Sequence, residues 1–346
     1  MVLERKTKRQ TAAEPKATQR DSEEFEQTLR PRLLSEYVGQ SDIKGHLLIS
    51  LEAAKKRGDA LGHTLLHGPP GLGKTTLAHI LAREMNAQLK LTSGPAIEKP
   101  GDLASLLTNL QAGDILFIDE IHRLRPAIEE VLYSAMEDCA LDLMIGKGPS
   151  ARSMRIDLKP FTLIGATTKM ASISAPLRDR FLHQFKLSFY SPEEMELIVE
   201  RTATILGIPL DAQAGHRIAA SARATPRIAN RLVRSIRDFA QVKEEGTISI
   251  DRVLSTLEIL GIDESGLDRT DRAILDVIVT KFAGGPVGLS TLAAALSEEE
   301  ETLEDVYEPY LMQCGYLQRT AKGRMATEHA YKKIGKSSSH SSSLFS

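Results

Sequence analysis

The chain has 346 residues, of which 42% are hydrophobic and 26% are charged, and its net charge is -2. That length predicts two or three globular domains of roughly 100–200 residues each. Since the chain as a whole is not basic, any contact with nucleic acid must come from a local patch, and no apolar run approaches the ~20 residues that span a membrane.

The two ends of the chain predict tails outside any folded domain. Residues 1–22 are polar and punctuated by basic residues, which is typical of disorder, and residues 337–346 form a serine-rich tail of low complexity. The first residues have no apolar core and do not resemble a secretory signal. Cys139 and Cys314 lack the spacing of a metal site and predict free thiols in a reducing compartment. We therefore expect a cytoplasmic protein.

The first predicted domain, residues 23–190, contains a phosphate-binding loop. Residues 68–75 read GPPGLGKT and fit the pattern G-x-x-x-x-G-K-[ST]. A short apolar strand precedes the loop and a helix with apolar residues at helical spacing follows it, as this motif requires. Gly71 and Gly73 allow backbone N–H groups to curl around phosphate oxygens, and the helix N-terminus adds a partial positive charge.

The end of this loop supplies groups for a triphosphate and its metal ion. We expect Lys74 to reach the β- and γ-phosphates and the Thr75 hydroxyl to hold Mg²⁺. The neighbouring Thr76, in the first helical turn, is also expected to contact the nucleotide. The loop therefore predicts binding of a nucleoside triphosphate.

A second motif supplies the chemistry of hydrolysis. Residues 115–118 are four apolar residues that predict a buried strand ending in Asp119, where the carboxylate can bind Mg²⁺. Glu120 adds a carboxylate that can polarise the attacking water as a general base. The Asn/Thr-Lys-x-Asp sequence that reads guanine in signalling GTPases is absent from the sequence. These features favour an ATPase.

Three more residues could act on the phosphates. Thr168 follows another predicted strand, where a hydroxyl can sense the γ-phosphate. Arg180 lies just before the α/β region ends, and the planar fork of Arg matches the oxygens of a transferring phosphoryl group. Arg227 begins a helix with Thr225 as the N-cap, and from there it could report the nucleotide state as a hinge movement. Each of them could also be an ordinary surface or structural residue.

Short strands alternate with helices over most of the first domain, and this pattern predicts a parallel, doubly wound α/β sheet. Residues 140–158 interrupt it with two alternating segments around a Gly-Pro turn, which predict a protruding β-hairpin. Residues 191–261 read as a small all-helical domain that begins with a Ser N-cap. Residues 262–336 read as three helices followed by a β-hairpin, the pattern of a winged helix. Within it, Ser297 and Glu300 predict a capping box.

Together these motifs resemble the AAA+ ATPase pattern of Walker A, Walker B, sensor 1, arginine finger and sensor 2. More closely, the chain resembles the RuvB family of ATP-driven motors for Holliday-junction branch migration, over residues 29 to about 336. The resemblance implies an α/β AAA+ P-loop core, a small helical domain and a C-terminal winged helix. The segments that carry it are 68–78, 119–124, 136–138, 176–181, 225–231 and 308–311.

The resemblance also implies further nucleotide contacts. Leu29 and Arg30 would enclose the adenine of ATP, and Tyr190 and Arg227 would contact the nucleotide from the side of the small domain. Glu137, Asp138 and Cys139 would approach it near a subunit interface, where the family often has an aromatic residue in place of the cysteine.

Assembly and partners follow from the same resemblance. Arg180 would enter the ATP site of a neighbouring subunit in a hexameric ring, and the apolar tip of hairpin 140–158 would dock RuvA, the junction-recognising partner. A resolvase of the RuvC type is a further partner. Arg319 and Arg324 on the wing would contact duplex DNA. The family often has Arg in the segment 298–301, where this chain has four glutamates, and we assign no DNA contact there.

Other classes of AAA+ protein remain as alternatives. A clamp loader or a protein-remodelling unfoldase would use the same ATPase motifs, but residues 86–113 contain no aromatic residue for a pore loop. A nucleotide-gated scaffold that does not hydrolyse ATP would not need Glu120 and Arg180. We therefore predict a DNA translocase.

Overall fold

The computed structural model describes residues 27–145, 152–243 and 246–336, and of residues 143–145 and 152–153 it describes only the backbone. The predicted tails 1–22 and 337–346 therefore lie outside the described residues, and so do the side chains of the hairpin's apolar tip, residues 143–145. Across the described ranges, no helix is both long and apolar enough to cross a membrane.

The large domain is built on a five-stranded sheet in which all neighbouring strands are parallel. Its strands are β1 (Thr64–His67), β2 (Leu89–Ser93), β3 (Ile115–Asp119), β6 (Thr162–Thr167) and β7 (His183–Lys186), and its helices are α1 (Ser41–Arg57), α2 (Lys74–Glu84), α3 (Pro100–Thr108), α4 (Pro126–Asp138) and α5 (Ala175–Asp179). The strand order is β2-β3-β6-β1-β7. Apolar residues cover both faces of the sheet in two separate clusters. The prediction of a parallel α/β sheet is confirmed.

The three central strands bring the predicted motifs to one edge of the sheet. Strands β1, β3 and β6 are almost entirely buried, which is why they appear in the sequence as continuous apolar runs. Since they are parallel, their carboxyl ends meet at the same edge. The phosphate-binding loop follows β1, Asp119 ends β3 and Thr168 follows β6.

Two antiparallel strands, β4 (Ala140–Ile145) and β5 (Arg152–Asp157), form the predicted hairpin. Ala140 pairs with Asp157, and the base is closed by a hydrogen bond from the Leu158 N–H to the Cys139 carbonyl at 2.7 Å. The hairpin forms a two-stranded sheet that is separate from the five-stranded sheet, as expected for a segment that interrupts the alternation of strands and helices.

The helical domain, or lid, consists of α6 (Pro192–Ile205), α7 (Ala212–Ser221), α8 (Pro226–Val242) and α9 (Ile250–Leu260). Ser191 caps α6 in a complete capping box with Glu194, as its sequence predicts. Thr225 takes the predicted N-cap position of α8, but its hydroxyl donates to the Arg223 carbonyl at 2.8 Å and makes no cap hydrogen bond. The lid shares a hydrophobic core with one face of the large domain.

The winged-helix domain folds around a hydrophobic core of its own. Its elements are α10 (Arg269–Lys281), α11 (Leu289–Leu296), α12 (Glu300–Thr302), a π-helical turn (Leu303–Tyr307), α13 (Glu308–Gln313), β8 (Leu317–Thr320), β9 (Gly323–Ala326) and α14 (Glu328–Lys333). Residues 300–313 run on without a break and are called the third helix below. Strands β8 and β9 pair antiparallel as the wing. This confirms the predicted winged helix.

The predicted capping box at Ser297 is wrong. Ser297 ends α11 in a left-handed conformation, with a φ of 56°, and the extended residue Glu299 takes the N-cap position of the third helix. The N–H groups of Ser297 and Glu298 donate to the Ala294 and Ala293 carbonyls, so Ser297 belongs to the turn that ends α11. The turn is a long-range requirement of packing that the local Ser-x-x-Glu spacing does not report.

Candidate nucleotide site

The phosphate-binding loop is tight enough to require its glycines. Gly71 and Gly73 have φ values of 80° and 102°, which side-chain-bearing residues rarely adopt. A Cβ on Gly71 would lie 2.7 Å from the Cγ2 of Thr225, and one on Gly73 would lie 2.7 Å from the Tyr37 hydroxyl. The loop is therefore packed between the N-terminal segment and the lid, with its backbone free to face a ligand.

Lys74 is held inside this loop. Its side-chain nitrogen donates to the carbonyl oxygens of Gly68 at 2.7 Å and Pro69 at 2.8 Å, and the residue is 8% exposed. Burial lowers the pKa of Lys74 to about 8; the carboxylate of Asp119 opposes this shift and the charge of Arg227 adds to it. A buried ammonium next to peptide carbonyls can move to anionic oxygens at little cost, which fits a triphosphate.

A single cleft between the large domain and the lid gathers most of the predicted ATP residues. The segment before α1 forms one wall, the phosphate-binding loop forms the floor, and Tyr190 with the start of α8 forms the opposite wall. The predicted residues that line the cleft are Leu29, Arg30, Gly71, Gly73, Lys74, Thr75, Thr76, Asp119, Glu120, Thr168, Tyr190 and Arg227. Residues far apart in sequence therefore converge here as one site.

The acidic pair lies at the end of β3. Glu120 has a left-handed backbone with a φ of 47°, and its N–H donates to the Asp119 carboxylate at 3.0 Å. A Cβ on the neighbouring Gly94 would lie 2.4 Å from the Glu120 carbonyl oxygen, so this sharp turn depends on a glycine at the end of β2. The turn places two successive carboxylates in the cleft, where one can bind the metal ion and the other can act as the base.

The residues around the end of β6 fix the position of Thr168. The buried Thr167 hydroxyl accepts from the Lys169 N–H at 2.9 Å and bonds the Nδ1 of His122 at the same distance. Burial lowers the pKa of His122, which favours the neutral ring. Thr168 thus follows an anchored residue at the edge of the cleft.

A fit to Mg²⁺ can be judged from the donors in the cleft. Thr75 and Asp119 supply the hydroxyl and carboxylate oxygens that Mg²⁺ accepts when phosphates and water complete its shell. In the described part of the chain, no cluster of three or more His, Cys, Asp or Glu residues could hold a metal by itself. The site thus suits a metal that arrives with a nucleotide.

Sequence reasoning missed several lid residues in this cleft. Arg201 on α6 donates to the Leu29 carbonyl at 2.6 Å and lies 3.7 Å from the Glu36 carboxylate, so it ties the lid to the segment predicted to enclose adenine. Asn230 and Arg231 on α8 line the same cleft. In sequence Arg201 falls on an ordinary amphipathic helix with no local signal, whereas Asn230 and Arg231 lie in segment 225–231, whose resemblance to the family could have identified them.

Four predicted residues do not line the cleft and form a second group. Arg180 pairs with Glu137 at 2.9 Å, and its guanidinium lies 4.8 Å from the centre of the Tyr133 ring. Asp138 pairs with Arg155 of the hairpin at 3.2 Å. The last member, Cys139, follows α4 in a left-handed conformation. The predicted arginine finger and the predicted interface segment therefore share one surface.

The two wing arginines differ in their surroundings. The side chain of Arg319 is 51% exposed and donates to Glu304 at 2.7 Å. The side chain of Arg324 is 8% exposed and bonds through two of its nitrogens to the buried Glu308. The structure thus presents only the Arg319 guanidinium at the surface of the wing.

Comparisons with known proteins agree along the whole described chain. Residues 29–187 match the family model for the Holliday junction DNA helicase RuvB P-loop domain, residues 190–263 match the RuvB AAA lid domain, and residues 264–335 match the RuvB C-terminal winged helix domain. The three matches follow the three folded units of the structure.

Individual relatives give the same result. The chain is 56% identical over 315 residues to the Holliday junction branch migration complex subunit RuvB of Chloroflexus aurantiacus, covering 91% of this chain and 90% of the relative. A solved Thermotoga maritima RuvB Holliday junction branch migration motor is 49% identical, with a TM-score of 0.83 and coverage of 89% of this chain and 99% of that one. The clamp-loader and protein-remodelling alternatives are not favoured. The chain belongs to the RuvB family of P-loop ATPases.

Proposed function

We propose that this chain is the ATP-hydrolysing subunit of a ring-shaped motor that drives branch migration of Holliday junctions in recombination and DNA repair. One observation carries the proposal. The cleft gathers the groups for binding and hydrolysing ATP, whereas Arg180 lies on a different surface of the same chain. A site that needs this arginine is completed by a second subunit, which makes hydrolysis depend on assembly.

Within the cleft, each side chain has a separate task. Lys74 neutralises charge on the β- and γ-phosphates, while Thr75 and Asp119 hold the metal ion. When bound, Mg²⁺ neutralises charge that develops on the phosphates. Glu120 takes the proton of the attacking water and Thr168 orients that water. These tasks suit the anchored positions of the residues at the carboxyl ends of the central strands.

The lid converts the state of the nucleotide into movement. Arg227 lies in the first turn of α8, and the close approach of Thr225 to Gly71 puts this helix start directly against the phosphate-binding loop. A contact between Arg227 and the γ-phosphate is lost after hydrolysis, so the lid can rotate about its hinge.

The remaining surfaces serve DNA and partners. Arg319 of the wing contacts the DNA backbone, because a motor that moves along any sequence needs contacts that carry no sequence information. Arg324 is buried against Glu308 and braces the wing instead. Hairpin 140–158 docks RuvA. Six copies of the chain form a ring that surrounds the duplex. A resolvase of the RuvC type acts on the same junction in the cytoplasm.

A four-way-junction assay tests the function directly. Purified chain, RuvA and ATP with Mg²⁺ should convert a synthetic junction into two duplex products, and omission of RuvA should slow the conversion. Lys74→Ala should abolish it, because the phosphates lose their ammonium partner. An active Lys74→Ala variant, or ATP hydrolysis without any junction movement, would exclude this assignment.

A further inference from the structure

The third helix of the winged-helix domain carries carboxylates on two sides. Glu301 and Asp305, four residues apart, face basic residues of the large domain. Glu304 and Glu308, also four residues apart, face the wing arginines. One helix therefore touches both the large ATPase domain and the predicted DNA-binding wing.

The contacts of Glu301 and Asp305 fall beside the catalytic edge of the sheet. The Glu301 carboxylate lies 3.2 Å from Arg123 and 3.2 Å from Lys169, and Asp305 lies 3.2 Å from Lys169. Lys169 directly follows Thr168, and Arg123 is three residues beyond Glu120. We call these contacts of Arg123 and Lys169 with Glu301 and Asp305 the latch.

Arg123 connects the latch to the catalytic carboxylate. One terminal nitrogen of its guanidinium, Nη2, lies 3.2 Å from Glu301, and the other, Nη1, lies 3.3 Å from the Oε2 of Glu120. A charge-assisted hydrogen bond to a guanidinium occupies a carboxylate oxygen and orients it toward the arginine. Through Arg123, the docked winged-helix domain is thus connected to the carboxylate of Glu120.

The Arg123 side of the latch is exposed to solvent, and its Lys169–Asp305 side is less so, with side chains 26% and 20% exposed. The attachment of the same domain to the lid is buried more deeply. The side chains of Arg123, Glu120 and Glu301 are 45%, 48% and 49% exposed, so water and salt compete with their contacts. On the lid side, Arg223 pairs with the fully buried Asp271 at 3.1 Å and lies 4.7 Å from the centre of the Tyr310 ring. A lid rotation will therefore carry the winged helix with it and open the latch.

We propose that Arg123 is a positioning residue for Glu120, and that Glu301 and Asp305 of the winged-helix domain set its position. With the latch closed, Arg123 occupies the Glu120 carboxylate and hydrolysis is slow. With the latch open, Glu120 is released toward the attacking water. This inference rests on the proposed role of Glu120 as general base, and it gives the acidic segment of the third helix a role in regulation.

The test compares two charge-matched double variants of the full chain. Glu301→Gln with Asp305→Asn removes the acidic half of the latch, and steady-state ATP hydrolysis without DNA should rise three- to tenfold. In the control, Glu298→Gln with Glu299→Gln removes two carboxylates that make no ion pair within the described ranges, and the rate should not change. Because both variants lose two charges, an effect of net charge on ring assembly would appear in both.

A second measurement identifies Arg123 as the mediator. Arg123→Gln should raise the rate by the same factor, and its combination with the latch variant should raise it no further. The gain should appear in kcat, with the KM for ATP and the affinity for a fluorescent ATP analogue within twofold of the original chain. A change confined to KM or to nucleotide affinity would contradict a positioning role.

Other results would contradict the proposal or the role of Glu120 on which it rests. An unchanged or lower rate in the latch variant, or a lower rate in Arg123→Gln, would overturn the proposal. Glu120→Gln should abolish hydrolysis in every background; if it does not, the assignment of the general base fails instead. Since the readout is hydrolysis without DNA, a chain that hydrolyses ATP but moves no junction would still report on the latch.

Discussion

The guanidinium of Arg180 pairs with the carboxylate of Glu137 across 2.9 Å, on a surface that does not include the cleft around Lys74. Arg180 is also braced by a hydrogen bond to the Pro176 carbonyl at 2.8 Å. An arginine held in place away from its own nucleotide cleft is well prepared to reach into the cleft of a neighbour.

Replacing Arg180 by Ala should lower ATP hydrolysis by about 10³-fold while leaving nucleotide binding intact, because the arginine stabilises charge only in the transition state. Arg178→Ala is the matched control, since Arg178 lies beside Asp179 at the surface. The measurement is steady-state phosphate release together with binding of a fluorescent ATP analogue.

Mixing Arg180→Ala with Glu120→Gln subunits distinguishes action between subunits from action within one. In a mixed ring, some sites combine an intact Glu120 with an intact Arg180 from the neighbour, so part of the activity should return. If no ratio of the two variants restores hydrolysis, Arg180 acts on its own cleft.

Affinity for ATP should fall as the pH rises above about 8. Burial lowers the pKa of Lys74 to about 8, and the bound phosphates, being anionic, raise it again. Binding therefore takes up a proton above that pH, and affinity should fall by up to about tenfold per pH unit. Titrations between pH 6.5 and 9.5 measure this, with Lys74→Arg as the control whose affinity should stay flat. A flat profile for the original chain would contradict a role for the Lys74 charge.

Arg319→Ala should weaken DNA binding with no change in thermal stability. Arg319 is half exposed, and its partner Glu304 can remain solvated when the arginine is lost. Removing one phosphate contact should reduce the slope of log affinity against log salt by about one. Gln318→Ala on the same strand is the control. A variant with an unchanged salt slope would place the DNA contact elsewhere.

Arg324→Ala should destabilise the winged-helix domain by about 3 kcal/mol, because the buried carboxylate of Glu308 loses both of its hydrogen bonds to Arg324 and keeps only the contact with Arg319 at 4.0 Å. Urea denaturation measures this loss, and a second change, Glu308→Gln, should recover most of it. The double variant Arg324→Gln with Glu308→Gln then separates folding from DNA binding: its salt slope should fall if Arg324 also contacts phosphate. Full stability of Arg324→Ala would argue against the buried pair.

Stability should decrease as the pH falls below 6.5, in part through His63. The ring Nδ1 of His63 accepts from the Leu163 N–H at 2.9 Å, and its Nε2 faces the Met136 carbonyl at 3.3 Å, so the neutral ring fits both bonds. Burial lowers the pKa of His63, so the unfolded chain binds the proton first and acid favours unfolding. His63→Gln should therefore show a smaller loss of unfolding free energy between pH 7.5 and 5. An equal loss in both chains would exclude this contribution.

The nucleotide-binding motifs could be predicted from the sequence. A loop that surrounds phosphates with backbone N–H groups is one contiguous segment, and its glycines must have positive φ. Residues 68–75 can therefore be recognised from the sequence. Asp119 and Thr168 can be recognised in the same way, because each follows a short apolar run that predicts a buried strand of the α/β domain. The parallel sheet, the lid and the winged helix follow from the same periodic patterns.

The partners of the charged side chains could not be predicted from the sequence. Strand β7 has a single buried residue, Phe185, and lies at the edge of the sheet, where it pairs with β1. Burial of Arg324 against Glu308, the reach of Arg201 to the Leu29 carbonyl and the latch at Glu301 each join segments distant in sequence. A charged side chain looks the same in sequence whether it is solvated or paired. The packing of distant segments decides whether that side chain stays solvated. It therefore also decides whether the side chain can bind a phosphate, form a structural ion pair or take part in the latch.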